Sequence, residues 1–164
     1  MILKLITFLL CVFTSCKYSG QYGVVGFVFG LTVILWQTNF KTSSWTRQHG
    51  LFVVLSTLIY AIVRYLATIW DFDSDLLDML AGSFPIAVIF GSVALPAAQV
   101  RLFRELKPRF KKVVKALILS YYGVVLVSYL VTDVLKIDRI DFSSVMIIIW
   151  QGLYLYFFFV RKET

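Results

Sequence analysis

Histidine is almost missing from this chain: His49 is the only one in 164 residues. A nucleophilic triad or a histidine-rich metal site therefore has little to draw on. Cysteine is nearly as scarce. Cys11 and Cys16 both fall in the first apolar run, are not a CxxC pair, and have no second cluster to complete a metal site. Five residues apart on a helix, they occupy different faces. Charge is also sparse, at 15% of residues against about 25% in soluble domains. No polar stretch exceeds roughly a dozen residues, so no separate soluble domain is expected, since such a domain needs on the order of 50 residues or more. Repeats and low-complexity segments are absent. Acidic residues number 9 against 16 basic ones, which leaves a net charge of +7. The basic residues lie between apolar runs and at the C-terminus, as membrane topology requires, so no nucleic-acid partner is expected.

What fills the chain instead is hydrocarbon. Hydrophobic residues make up 60% and mean hydropathy is +0.85. Several runs approach the ~20 residues that a helix needs to cross a bilayer. Only helices and closed barrels satisfy their backbone in lipid, and these runs are too continuous for barrel strands. The expected fold is all-α: a single transmembrane domain over residues 1–164, a polytopic bundle of six helices. The predicted spans are 2–16, 22–38, 51–70, 76–100, 113–132 and 142–160.

The first run carries Lys4 and ends in Phe13-Thr14-Ser15-Cys16. That ending resembles a bacterial lipoprotein processing site, with Phe13 where an aliphatic residue normally stands. An uncleaved first helix is one expectation. Cleavage with lipidation at Cys16 is the other, and it leaves five spans. The second run holds Gly26 and Gly30 at small-xxx-small spacing, which lets helix backbones approach closely. Gly91 adds a small residue to the fourth run, which also carries Pro85, a predicted kink. His49, beside Gly50, reads as a solvated loop residue, and Trp45 as an interfacial anchor. Polar side chains inside the runs include Ser56, Thr57, Ser92, Ser120, Tyr121, Tyr122, Ser128 and Gln151.

Lys and Arg alternate across the seven flanks of the six spans. Lys4, then Lys41 and Arg47, then Arg101 to Lys115, then Arg161 and Lys162 fall on one side. The positive-inside bias puts both termini in the cytoplasm, here the cytoplasmic (inner) membrane of a bacterium. The segment after the third run then faces outward.

That segment is the densest in chemistry. Arg64 lies inside the third run, about 9 Å from its outer end, and Asp71, Asp73, Asp75 and Asp78 follow it. A charge so deep is usually paired or faces a cavity. Asp71 shares its helix face, so snorkelling beside Asp71 and an outward cationic pocket at Arg64 are both open. Asp71, Asp73 and Asp75 open like a calcium loop, but its sixth and twelfth positions are Leu76 and Gly82, so that motif fails. A looser divalent site on these three is one reading. A capping role for Asp75 and Asp78 at the next helix is the other.

Three functions follow as expectations. The chain is a non-enzymatic subunit of a membrane transport or envelope-assembly complex, a small-solute carrier with Arg64 in its pocket, or an intramembrane enzyme using the outer aspartates. The lipid bilayer, other membrane subunits or a second copy, and anionic lipid at the Arg101 to Lys115 loop are the expected partners. No cofactor is expected.

Overall fold

Glycines spaced four apart and apolar runs of 16–23 residues produce helices that press directly on one another. The computed structural model describes residues 2–18, 21–69, 83–131 and 142–160. Of these, 93% are helical and none lies in a strand, so the fold is all-α.

The first helix, α1, covers Ile2–Lys17, and Lys17 in its last turn suits the negative end of the helix dipole. Helix α2 covers Tyr22–Gln37. Its exit uses left-handed backbone at Asn39 (φ 48°) and Phe40 (φ 64°). The Phe40 N–H donates to the Leu35 carbonyl at 2.8 Å, the long back-bond of a Schellman turn. Phe40 then packs on the core, which offsets a strain of about 1–2 kcal/mol.

Helix α3, Arg47–Ile69, starts before the apolar run does, and His49 is the reason. The residue expected in a solvated loop is only 8% exposed, in the helix's first turn. Its Nδ1 accepts the Thr46 N–H at 2.9 Å and lies 2.8 Å from Thr46 Oγ1. Its ring lies 4.9 Å from that of Phe103. His49 thus takes the place that Glu or Gln holds in a capping box. His49→Ala is expected to cost about 1 kcal/mol, as cap loss typically does. His49→Gln, which restores an acceptor, should recover part of it in a thermal melt.

Helix α4 covers Ser83–Leu102. Pro85 is the third residue of the helix as described, where its missing N–H takes no bond from the described turns. Pro96 lies inside the helix and removes the donor for the Ser92 carbonyl. A tight 3-10 connector, Arg104–Arg109, leads to α5, Phe110–Tyr129. Helix α6 covers Phe142–Leu155 and runs into a π-helical turn, Tyr156–Val160.

Helix α2 packs most extensively on α3, and α3 on α4; α5 lies against α4 and α6, and α1 against α2 and α6. Two helices are long and apolar enough to cross a membrane by length and composition, over Arg47–Leu66 and Pro85–Leu102. The six spans expected from sequence are met by that test only there, among the described residues. The apolar stretches Tyr22–Gln37 and Val145–Val160 are shorter, and α5 opens on Lys111, Lys112 and Lys115. At 16 residues each, α1 and α2 reach about 24 Å.

Candidate functional site

The interior of the bundle is stitched by polar side chains. Gln151 on α6 is fully buried. Its Oε1 accepts the Ser15 hydroxyl of α1 at 3.3 Å, and its Nε2 donates to Tyr60 Oη of α3 at 3.3 Å. One amide therefore ties three helices. Trp150 donates its indole N–H to Ser92 Oγ of α4 at 2.9 Å. Tyr154 donates to Gln99 Oε1, while the buried Gln99 Nε2 has no partner among the described residues. On the α1 side, Cys11 Sγ lies 3.1 Å from Thr32 Oγ1, which itself donates to the Val28 carbonyl at 3.0 Å. Around this seam Phe29, Tyr60, Trp150 and Tyr154 form an aromatic cluster with centroids 5.3–6.0 Å apart.

Glycine sets how closely α2 approaches α3. A Cβ at Gly26 would fall 2.7 Å from Tyr60 Cβ and 2.8 Å from the Ser56 carbonyl oxygen. At Gly30 it would meet Ser56 Cβ at 3.0 Å and Val53 Cα at 3.1 Å. Ser56 uses the closeness to donate to the Gly26 carbonyl at 2.8 Å. Gly91 does the same for α4 against α3, where a Cβ would lie 2.9 Å from Val63 Cγ2.

Beside the seam is a small apolar crevice of about 60 Å³ that opens outward. Its walls are Ile59 and Tyr60 of α3, Val88 and Gly91 of α4, and Ile147 and Trp150 of α6. Half-buried Tyr22, Val63 and Met146 complete the lining. Arg64 is exposed and does not line the crevice. Its guanidinium carbon instead lies 5.3 Å from the centroid of the Tyr22 ring, a cation–π distance. Asp71, Asp73, Asp75 and Asp78, expected as its partners or as metal ligands, lie outside the described residues. Among the described residues no three His, Cys, Asp or Glu side chains gather as a metal set.

The basic loop lies at the other end of the bundle. Gln37 at the end of α2 donates to Glu105 at 3.4 Å, His49 at the start of α3 meets Phe103, and Arg109 donates to the Phe158 carbonyl. Arg101, Arg104, Lys107, Lys111, Lys112 and Lys115 are exposed. Cys16 is an exposed free thiol near the end of α1, whereas Cys11 is buried.

Of these residues, Gln99 and the partners of Gln151 are not legible in the sequence. An amide in an apolar run is the only hint, and it names no partner. No known protein family matches the chain, and neither curated proteins nor solved structures provide a significant match.

Proposed function

We propose that this chain is a multi-pass integral membrane protein of six spans, with both termini cytoplasmic, serving as a non-enzymatic subunit of a membrane transport or envelope-assembly complex. The observation that carries the reading is an inversion of polarity. Large apolar side chains cover the outside: Leu3, Leu5, Leu9 and Phe13 on α1, Val54, Leu58 and Ile62 on α3, Leu119 and Leu126 on α5. Ser15, Thr32, Ser56, Ser92, Gln99 and Gln151 are buried within. Water penalises both arrangements, because soluble proteins seldom expose large continuous apolar patches. Hydrocarbon favours both, since lipid wets the outside and buried polar groups hold helices together. The gathering of exposed Lys and Arg at one end supports a cytoplasmic face there. The interior polar groups bond chiefly to one another and to backbone, as in a scaffold. The exposed apolar flank of α1 offers a face for lipid or a neighbouring subunit.

The protein is expected to stay in the membrane fraction through alkaline carbonate washing. A periplasm-active reporter fused after Ser74 should be active, as should a cytoplasm-active reporter after Lys162. Cytoplasmic reporting at Ser74 rules out the orientation, and release by carbonate rules out the integral membrane. In mild detergent the native species should run well above the 18.8 kDa chain; a monomer under those conditions removes the subunit role.

A further inference from the structure

We infer that the outward face of α5 seats one anionic phospholipid, with its phosphate at Lys111 and Lys115 and an acyl chain along the apolar stripe that follows them. The inference rests on the membrane reading above and adds an occupant to it.

Three features select that occupant. The first is a groove. Phe110, Lys111, Val114, Lys115, Ile118 and Leu119 line a shallow groove on the outside of α5, and the two lysines are its only polar side chains. The second is the order of polarity along the helix. Lys111 and Lys115 are four residues apart and so share a face. The same stripe continues through Leu119, Tyr122 and Leu126, all of them exposed. From Lys115 to Leu126 it runs about 16 Å, at 1.5 Å per residue. Cations therefore stand at the loop end of the stripe and hydrocarbon fills the rest, which is the polarity of a phospholipid. A water-soluble anion matches the lysines alone and gains nothing from the apolar stripe. The third feature is unanswered charge. Lys111 and Lys112 fall in the first turn of α5, where the helix dipole disfavours cations, and no acidic residue stands there. Neither Lys111 nor Lys115 has an ion pair or a hydrogen bond among the described residues. Glu105, the one acid between Arg101 and Lys115, accepts from Gln37 instead. Two ammonium groups on one face are thus left to an anion from outside the chain.

The full-length protein in mild detergent is titrated with phosphatidylglycerol, and in parallel with phosphatidylcholine of the same chain length. Native mass spectrometry reads the fraction carrying one lipid. The parent should take up phosphatidylglycerol at least tenfold more tightly. Each interfacial lysine confers about fivefold on an anionic lipid, so Lys111→Gln with Lys115→Gln should weaken phosphatidylglycerol about 25-fold. Phosphatidylcholine should shift less than twofold, and the melting temperature should hold, because both side chains are exposed. Arg104→Gln with Lys107→Gln removes the same charge from the neighbouring connector and is the control. The site stands if the α5 pair costs at least fivefold more than the connector pair. A smaller difference assigns the preference to the diffuse charge of the loop and overturns the site. Glycerol phosphate in tenfold excess should not displace the lipid; displacement would mean a phosphate site without a role for the apolar stripe, which overturns the proposal too. Co-flotation with phosphatidylcholine vesicles separates the two levels. A chain that does not float sinks the membrane reading and this site together, whereas one that floats without preferring phosphatidylglycerol sinks the site alone.

Discussion

Gly26→Ala is expected to lower the melting temperature of the detergent-solubilised protein by several degrees, and Gly26→Leu to prevent folding. The added methyl has nowhere to go. Its two nearest neighbours, at 2.7 Å and 2.8 Å, are Tyr60 Cβ and the Ser56 carbonyl oxygen, and neither is the free end of a flexible side chain. Accommodating it means moving α2 away from α3, the most extensive helix pair in the bundle. That movement also breaks the bond from Ser56 Oγ to the Gly26 carbonyl. Overpacking of this kind costs about 1–3 kcal/mol, before the lost hydrogen bond is counted. Gly123→Ala is the matched control, because a Cβ there meets nothing within 4 Å. It should be neutral or stabilising by up to about 1 kcal/mol from helix propensity. Equal melting temperatures for Gly26→Ala and Gly123→Ala would show that α2 and α3 do not depend on this close approach.

Replacing Gln151 with leucine should be the costliest change among the interior polar residues. Volume is nearly kept, but Tyr60 Oη loses its donor and Ser15 Oγ loses its acceptor, both deep in the bundle. Ser15 can turn to a carbonyl of its own helix, so most of the penalty falls on Tyr60. A buried group left without a partner costs about 1–3 kcal/mol. Tyr60→Phe combined with Gln151→Leu should recover part of that loss, since removing both partners leaves no orphaned hydroxyl. A coupling energy of zero in this cycle would mean that the bond adds nothing to stability.

The same substitution reports on the first helix. Helix α1 is tied to α6 through Ser15 and to α2 through Cys11 and Thr7, whose hydroxyl accepts the Trp36 indole N–H at 2.9 Å. In the parent protein a maleimide should label exposed Cys16 quickly and buried Cys11 slowly. Loosening α1 by Gln151→Leu should speed the Cys11 reaction while leaving Cys16 unchanged, as read by intact mass. An unchanged Cys11 rate would place the anchoring of α1 elsewhere.

The sequence alone determined that the described chain is helical, because long runs of apolar residues with few strand or turn signals leave little else. It also marked Gly26, Gly30 and Gly91 as small residues at helix-packing positions, since a four-residue spacing fixes one helix face whatever the surroundings. Periodicity, however, names a face and not the surface that meets it. Only the tertiary structure decided that Gly26 meets Tyr60 and Ser56, and that Gln151 joins Ser15 and Tyr60 across 136 and 91 residues of chain. His49 shows the same limit from the other side. Its neighbours in sequence are polar and suggest a loop, but packing against Phe103, 54 positions away, buries the ring and lets it cap α3. For Arg64 the spacing points to Asp71, whereas the contact with Tyr22, 5.3 Å from its guanidinium carbon, is decided only when α2 docks on α3. Hydropathy is a property of each residue and survives in the linear chain. Partners are a property of pairs, and distant pairs exist only once the helices have docked.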